Sequence, residues 1–195
     1  MLTVIVLAAG MSRRMGPANK LLLPFRGRTI LETTLDQIVA SGAEEIIVVL
    51  GHESERILSL LENFSVKTTF NPHFETGMTT SIQAGVKAAS ADSDGFMICL
   101  SDMPLIEAAT YRSLTDAFFE KKKTDERVIL QPVFENTPGN PVIFSACYKN
   151  EILTLTFSEG CKPILQNNLG HVHRLAIPNK SILMDADTEA AYRAL

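Results

Sequence analysis

The feature that most constrains this chain is a regular alternation between short apolar runs and helical patterns. The apolar, β-branched run at residues 2–7, followed by Ala-Ala-Gly, is typical of a strand that is buried on both faces. A similar run occupies residues 45–50. Between the two runs, apolar residues recur at helical spacing over residues 30–39, and Gly42 stands where a helix would end. This order predicts a strand–helix–strand unit.

The same alternation continues to the end of the chain. Further apolar runs predict strands at residues 66–70, 96–100, 128–133, 142–144, 172–176 and 182–184. Helical patterns fill the intervals, around residues 57–64, 82–89 and 111–118, and again from residue 188 to the end. The chain is therefore predicted to be an α/β protein with a Rossmann-like, three-layer architecture and a mostly parallel central sheet. In such sheets the ligand lies beyond the carboxyl ends of the strands, where the strand order reverses.

The loop after the first predicted strand has the composition of an anion-binding loop. Gly10 and Gly16 flank the segment Met-Ser-Arg-Arg-Met, so the loop can fold back closely and direct N–H groups, Arg13 and Arg14 into one space. The spacing matches neither a P-loop nor the dinucleotide fingerprint. Phosphate groups fit this arrangement, and the alternative is an ordinary solvated surface turn.

The distribution of charge supports a local anion site. The net charge is −4, which argues against a broad nucleic-acid surface. The first 31 residues nevertheless contain no acidic residue and five cations, namely Arg13, Arg14, Lys20, Arg26 and Arg28. Positive charge is therefore concentrated at the unusual loop.

Composition indicates a soluble, cytoplasmic protein with one domain spanning residues 1–195. The hydrophobic fraction of 46% and the charged fraction of 21% are ordinary for soluble folds, and no segment is predicted to span a membrane. Cations follow the apolar start rather than precede it, which argues against a signal peptide. The three widely spaced cysteines, Cys99, Cys147 and Cys161, fit neither a disulfide framework nor a paired metal motif.

The segment LAAGMSRRMGPANKLLLP resembles the signature of the MobA-like nucleotidyltransferases, in particular the cytidylyltransferase branch that matures the molybdenum cofactor. Four later segments resemble the same branch in the same order: FNPHFETGMTTSIQAGV, SDMPLI, GNPVIF and MDADTEAAY. The resemblance covers nearly the whole chain. It implies a nucleotidyltransferase fold and the transfer of CMP from CTP to molybdopterin or its molybdenum-loaded form.

The resemblance also implies roles for individual residues. Its nucleotide-binding set comprises Leu7, Ala8, Ala9, Gly10, Ser12, Arg13, Arg14, Lys20, Gly77, Thr80 and Ser81. Its catalytic residues are Arg14, Lys20 and Asp102, where the two cations would neutralise the triphosphate. Its Mg²⁺ ligands are Asp102 with Asp185 or Asp187, and its acceptor-binding residues are Asn140 and Lys162. Ala9, where the guanylyl branch has a second glycine, favours CTP over GTP.

The chemistry of nucleotidyl transfer is consistent with these residue types. The protein must align an attacking phosphate oxygen with the α-phosphorus and stabilise charge on the departing pyrophosphate, and cations with Mg²⁺ can do so. One or two carboxylates together with substrate phosphates are sufficient ligands for Mg²⁺. The alternative role for Asp102 is a helix N-cap, because Asp-Met-Pro-Leu precedes a helical pattern. The two roles can coexist.

One region departs from the family pattern. Where cofactor cytidylyltransferases read Gly-Asp-x-Gly-Ala-Arg, residues 158–163 read Ser-Glu-Gly-Cys-Lys-Pro. Lys162 would contact phosphate as a point charge rather than as the bidentate fork of an arginine. Two alternatives therefore stay open. One is a sugar- or alcohol-phosphate nucleotidyltransferase, and the other is an accessory protein that delivers the cofactor to a molybdenum hydroxylase, such as xanthine dehydrogenase, or to its maturation factor.

His171 and His173 form a second candidate cluster. They alternate on a predicted strand and so point to one face, which is compatible with a metal pair. Since no third ligand is evident nearby in the sequence, they are interpreted as polar residues on a half-exposed strand.

Overall fold

Strands and helices alternate along residues 1–15, 18–156, 158 and 160–195, which are the residues that this computed structural model describes. The strands are β1 (Leu2–Ala8), β2 (Pro24–Phe25), β3 (Arg28–Thr29), β4 (Glu45–Leu50), β5 (Lys67–Phe70), β6 (Gly95–Leu100), β7 (Ile129–Phe134), β8 (Thr137–Pro138), β9 (Val142–Ser145) and β10 (Val172–Ala176). The α-helices are α1 (Ile30–Ala40), α2 (Ser54–Leu61), α3 (Met78–Ala88), α4 (Ala108–Lys122), α5 (Lys149–Thr154), α6 (Lys162–Asn167) and α7 (Glu189–Arg193). None of these described helices is long and apolar enough to cross a bilayer.

The main sheet has the order β10-β7-β9-β6-β1-β4-β5, and β8 pairs with β7. Neighbouring strands are parallel except where β9 runs between β6 and β7 and where β8 pairs with β7. The prediction of a mostly parallel sheet is therefore confirmed. Because β4 and β6 flank β1 on opposite sides, the strand order reverses at β1, and the loop that follows β1 lies at the switch point.

Three layers form because each central strand presents apolar residues to both faces. Along β1, Val4 and Val6 belong to the core beneath α1, α2 and α4, whereas Ile5 belongs to the core beneath α3, α5 and α6. In α3, a β-carbon at Gly85 would collide with the Ile5 side chain, so the glycine permits close packing of helix on sheet. The predicted three-layer α/β class is confirmed.

The helix α1 begins and ends where the sequence indicates. Thr29 and Glu32 form a capping box, in which the Glu32 N–H donates to the Thr29 hydroxyl at 3.2 Å and the Thr29 N–H donates to the Glu32 carboxylate at 2.8 Å. The helix stops at Ala40, two residues before Gly42, which has φ 82°. The caps fix the path of the chain between the switch-point loop and β4.

The strand predicted at residues 182–184 is wrong. Lys180–Leu183 form a 3₁₀ turn. The side chain of Asn179 caps this turn, because its oxygen accepts a hydrogen bond from the Ser181 N–H at 3.0 Å. The fully buried Ile182 accepts a hydrogen bond from the Asn140 N–H through its carbonyl, at 3.0 Å. The apolar run Ile-Leu-Met therefore anchors a turn instead of extending the sheet, and the chain continues into Asp185 at the switch-point end.

Candidate active site

A cavity of about 410 Å³, the switch-point cavity, lies at the carboxyl ends of β1 and β6. Four segments line it: the loop after β1, the turn after β6, the segment leading into α3, and the stretch before α7. Most of the residues predicted for the nucleotide and the metal line this single cavity, namely Leu7, Ala9, Gly10, Ser12, Arg13, Arg14, Lys20, Gly77, Ser81, Asp102, Asp185 and Asp187. The fold thus brings together side chains that are spread over most of the sequence.

Local backbone contacts hold Lys20 at the cavity. Ser12 adopts a left-handed conformation with φ 51°, and its hydroxyl accepts a hydrogen bond from the Lys20 N–H at 3.2 Å. Lys20 opens a short 3₁₀ turn that is capped by the Asn19 side chain, and the buried Leu21 anchors this turn in the core. The predicted flanking residue Gly16 lies outside the described residues, so its role stays a prediction.

The ammonium of Lys20 contacts two carboxylates. It donates hydrogen bonds to Asp102 and to Asp187, the latter at 2.5 Å. Arg14 contacts the other oxygen of Asp187, at 3.0 Å. Burial acts to lower the pKa of Lys20, but the Asp102 and Asp187 carboxylates outweigh it and raise the pKa. Lys20 is therefore a fixed cation.

Asp102 is nearly buried, with 4% of its surface exposed. It lies in the turn directly after β6, and its carbonyl accepts a hydrogen bond from the Ala186 N–H at 3.0 Å. The alternative role of α4 N-cap is excluded, because α4 begins at Ala108 and Glu107 is the residue that precedes it. The turn therefore directs the Asp102 carboxylate to the cavity and ties it to the segment that carries Asp185 and Asp187.

The other two aspartates have opposite electrostatic environments. Burial raises the pKa of Asp185, and the nearby negative charges of Asp187 and Asp102 raise it further. Burial also acts to raise the pKa of Asp187, but hydrogen bonding and charge from Lys20, with the charge of Arg14, lower it overall. The cavity thus concentrates negative charge that an additional cation would stabilise.

The donor set fits a divalent cation that also binds substrate. Within the described part of the chain, no group of three or more His, Cys, Asp or Glu side chains is arranged to hold a metal without other ligands. Asp102 and Asp187 nevertheless approach one cationic atom together, the Lys20 ammonium. Two hard oxygen ligands with substrate phosphates satisfy Mg²⁺, which keeps several waters. Asp185 lines the same cavity.

The start of α3 contributes backbone groups to the lining of the cavity. Gly77 has φ 124°, and the helix begins at Met78 without a side-chain cap, so its first N–H groups are available to an anion. The Ser81 hydroxyl faces this region and accepts from the buried amide of Asn71 at 3.0 Å. The N-terminus of this eleven-residue helix therefore adds positive potential to the cavity.

Two residues predicted to bind the nucleotide, Thr80 and Ala8, do not belong to the described lining of the cavity. The Thr80 hydroxyl lies within hydrogen-bond distance of the carbonyl oxygens of His73 and Gly77, at 2.9 and 3.0 Å, and its one hydrogen is shared between them, which fixes the turn before α3. Ala8 is only 1% exposed and packs in the core. Among the described residues, neither belongs to the cavity lining, so a direct contact with nucleotide stays a prediction for both.

The predicted acceptor residues line a second cavity of about 240 Å³. Asn140 and Lys162 both lie in its wall, and Met78 and Leu100 belong to both cavities. Glu159, in the segment that departs from the family pattern, lies outside the described residues. The two cavities are therefore neighbours, separated by the Met78 and Leu100 side chains.

Several lining residues were not predicted from the sequence. They are Met11, Leu21, Phe74, Glu75, Met78, Leu100 and Ser101 in the first cavity and, among others, Gln131 in the second. Ser101 donates to the Leu7 carbonyl at 2.6 Å and so joins the ends of β1 and β6. Phe74 and Met78 lie within the quoted segment FNPHFETGMTTSIQAGV. For Gln131 the available signal was one polar residue inside an apolar strand.

His171 and His173 both face Asp125. Their ring nitrogens Nδ1 and Nε2, respectively, lie 3.0 Å from the same carboxylate oxygen. Their side chains are 38% and 27% exposed. The arrangement agrees with partly exposed polar side chains, but only His173 lies on β10, because His171 ends the 3₁₀ turn that precedes this strand.

The sheet topology and the cavity at its switch point define a nucleotide-binding α/β protein of the nucleotidyltransferase type. The MobA-like NTP transferase domain model matches residues 4–173. The chain therefore belongs to the MobA-like NTP transferase family.

Three curated relatives show the range of names in this family. The first is nicotine blue oxidoreductase of Paenarthrobacter nicotinovorans, 31% identical over 55% of this chain and 52% of the relative. A probable molybdenum cofactor guanylyltransferase of Methanosarcina acetivorans is 33% identical over 61% of this chain and 52% of the relative. The molybdenum cofactor cytidylyltransferase of Escherichia coli K12 is 26% identical over 94% of this chain and 90% of the relative. The chain thus spans about half the length of the first two.

Solved structures share the fold over the whole chain. Rv0371c of Mycobacterium tuberculosis H37Rv superposes with a TM-score of 0.86 at 25% identity, covering 99% of this chain and 96% of that one. Its complex with manganese gives a TM-score of 0.81 at 26% identity, covering 100% and 97%. A nucleotidyl transferase from Methanothermobacter shows the same fold, with a TM-score of 0.85 at 22% identity, covering 100% and 95%.

Proposed function

We propose that the chain is a Mg²⁺-dependent nucleotidyltransferase that transfers CMP from CTP to molybdopterin or its molybdenum-loaded form. The observation that carries this proposal is the contact of the Lys20 ammonium with Asp102 and Asp187 inside the switch-point cavity. Relatives named molybdenum cofactor guanylyltransferase and cytidylyltransferase support the acceptor. The whole-chain coverage of the cytidylyltransferase supports that branch.

In the proposed reaction, a phosphate oxygen of the acceptor attacks the α-phosphorus of CTP. The bond from this phosphorus to the oxygen that bridges to the β-phosphorus breaks, and pyrophosphate leaves with the electron pair. Arg13, Arg14 and Lys20 would neutralise the triphosphate, and Lys20 is suited to do so because its raised pKa keeps it protonated. The catalytic contribution is positioning and charge stabilisation rather than covalent chemistry.

Backbone groups would orient the nucleotide. The loop after β1 and the first turn of α3 line the same cavity, so their N–H groups can approach phosphate from two sides. Around Gly10 a β-carbon would meet no atom within 4 Å, so there is open space beside this part of the loop. A nucleotide can therefore approach the backbone closely at this position.

Asp102 and Asp187, with Asp185 nearby, are the proposed protein ligands of the divalent cation. When bound, Mg²⁺ supplies charge neutralisation for the triphosphate and the departing pyrophosphate. The manganese complex of Rv0371c supports a divalent cation in this fold. Parallel titrations with Mg²⁺ and Mn²⁺ measure which ion supports pyrophosphate release. Activity with Mn²⁺ alone would overturn the choice of Mg²⁺.

The proposed preference for CTP rests on Ala9. Its β-carbon lies against Gly51, and a β-carbon at Gly51 would come within 2.8 Å of it. The Ala9 carbonyl accepts from the His52 N–H at 3.2 Å, so the loop is held against this neighbour. We expect CTP with Mg²⁺ to raise the melting temperature more than GTP, ATP or UTP. Stabilisation by GTP alone would overturn the preference.

The alternative acceptor is a sugar or alcohol phosphate, because residues 158–163 depart from the cofactor cytidylyltransferase pattern. The same departure leaves room for an accessory role, in which the chain delivers the cofactor to a molybdenum hydroxylase, such as xanthine dehydrogenase, or to its maturation factor. In that role nucleotide would bind without turnover, and a pull-down would recover the hydroxylase or the factor.

The decisive experiment incubates the purified protein with Mg²⁺, molybdopterin and each of the four nucleoside triphosphates, and identifies the product by mass. The proposal predicts pyrophosphate release and a CMP-linked product with CTP. Release only with sugar or alcohol phosphates would establish the alternative acceptor. Absence of release with every acceptor and nucleotide would overturn the enzymatic proposal.

We also propose that residues 1–195 form one domain that acts in the cytoplasm. One sheet carries both cavities, and the family model matches residues 4–173, which supports a single unit. The thiols of Cys99, Cys147 and Cys161 are all free, which supports a reducing compartment.

A further inference from the structure

The second cavity lies where a nucleotidyl acceptor would have to bind. It shares Met78 and Leu100 with the switch-point cavity. A ligand that fills it therefore lies beside the space proposed for the triphosphate. Its volume of about 240 Å³ is smaller than that of the first cavity, at about 410 Å³.

Most of the walls of this cavity are apolar. The sheet contributes the buried side chains of Ile98, Val142 and Phe144, and the helices α3 and α6 contribute Ile82 and Leu165. A polyhydroxylated sugar would place hydroxyl groups against these walls without hydrogen-bond partners, and each such unsatisfied group disfavours binding. A flat ring system would instead present apolar faces to the walls and polar groups at its edge.

Gln131 is a polar exception on this sheet face. It lies in β7 between Leu130 and Pro132, and strand alternation places it on the same face as the buried Ile129. Its side chain is half-buried and lines the second cavity. Across the residues that the structure describes, its amide makes no side-chain hydrogen bond. An amide in such an environment is stabilised when a ligand or water supplies its partners.

We infer that Gln131 is a specificity-determining residue, whose amide reads the edge of a flat heterocyclic acceptor held in the second cavity. The chemical class is a heterocycle with a hydrogen-bond donor and an acceptor side by side, such as a lactam or aminopyrimidine edge, which one amide can pair in both directions. The inference rests on the proposed nucleotidyl transfer, since it assigns the second cavity to the acceptor.

The opposing interpretation is that Gln131 is a half-exposed strand residue satisfied by water. Under that interpretation, replacing it with leucine would remove no ligand contact and would leave acceptor binding unchanged. If the Gln131 amide pairs with the ring edge, Gln131→Leu must bind the acceptor more weakly, because leucine fills similar space but offers no hydrogen bond. The two interpretations therefore predict different acceptor affinities for Gln131→Leu, and both predict that this variant folds.

The test is a fluorescence titration of 6-hydroxymethylpterin. N-acetylglucosamine 1-phosphate, which is not fluorescent, is the sugar probe and is measured as a competitor of the pterin. Wild type, Gln131→Leu and the control Gln166→Leu, which changes an exposed residue of α6, are compared. We expect the wild type and the control to bind the pterin alike, and Gln131→Leu to weaken binding at least tenfold. Stabilisation by CTP should be the same in all three.

Pterin binding that Gln131→Leu does not weaken, or binding of the sugar phosphate in preference to the pterin, would overturn the inference. With molybdopterin as acceptor, Gln131→Leu should raise the acceptor KM at least tenfold and leave the CTP KM unchanged. Gln131-dependent pterin binding without pyrophosphate release under any condition would instead overturn the proposed transfer and support the site. The two failures are therefore distinguishable.

Discussion

Lys20 and Asp102 form a salt bridge inside the switch-point cavity, although 82 positions separate them in the sequence. Lys20 follows β1 and Asp102 follows β6, and these two strands are parallel neighbours in the sheet. Because parallel neighbours end at the same edge, the fold delivers a cation and a carboxylate to one place. This pair and Asp187 form the electrostatic centre of the proposed site.

Replacing Lys20 with methionine should weaken CTP binding at least tenfold. The change removes the cation proposed for the triphosphate and leaves Asp102 and Asp187 without the ammonium that offsets part of their negative charge. Isothermal titration with CTP and Mg²⁺ measures the effect. The control Lys87→Met removes an exposed lysine of α3 and should bind CTP like the wild type. Unchanged affinity in Lys20→Met would contradict the proposed role.

The edge of the sheet at which Lys20 and Asp102 meet was predictable. Each follows a run of apolar residues long enough for a strand, and parallel strands deliver their carboxyl ends together. The segment Lys180–Leu183 was not predictable in this way, because its apolar residues resemble a strand. Its turn depends on capping by Asn179 and on the contact of Ile182 with Asn140, which only the folded chain brings together.

Cavity residues were harder to predict than strand ends. Ala8 and Ala9 are adjacent in one motif and both are buried, in the cores on opposite faces of the sheet, but Ala9 also belongs to the described cavity lining and Ala8 does not. Gln131 lies in β7, which β9 separates from β6 in the sheet, and periodicity along the sequence does not predict this strand order or the place of Gln131 in the second cavity. A single sequence gives the periodicity of a strand but not its neighbours.

Of the three thiols, we predict that Cys147 reacts first in the native protein. Cys99 and Cys161 are buried, whereas Cys147 is exposed. Burial raises the pKa of Cys99 far above its usual range and that of Cys161 to about 12, so both thiols stay protonated. Titration with a chromogenic disulfide should show one fast thiol before denaturant and three after it. Two or more fast thiols in native protein would contradict this burial.

Removing the Asp125 carboxylate should destabilise the protein at neutral pH. Burial alone would raise the pKa of Asp125, but hydrogen bonds from His173 and His171, with one from the Arg127 N–H, lower it to about 2. The folded-state pKa is thus below the unfolded value of about 3.9, so the carboxylate stabilises the fold above about pH 4. We expect Asp125→Asn to lower the free energy of unfolding by about 1–2 kcal/mol at pH 7.

The pH dependence gives a second check on Asp125. The difference in unfolding free energy between wild type and Asp125→Asn should shrink as the pH falls from about 4 towards 2, because the folded-state carboxylate becomes protonated in that range. Urea denaturation at each pH measures it. The control Asp92→Asn changes an exposed aspartate and should show little difference at any pH. A difference that stays undiminished at pH 2 would contradict the assigned contacts.

The most direct measurement of the central claim is pyrophosphate release from CTP by Asp102→Asn, with molybdopterin and Mg²⁺ present. The substitution keeps the size of the side chain and removes its charge, so the account predicts a folded protein whose rate falls about a hundredfold or more. Asp116→Asn, on the exposed face of α4, should retain the wild-type rate. A folded Asp102→Asn variant that releases pyrophosphate at the wild-type rate would contradict the account.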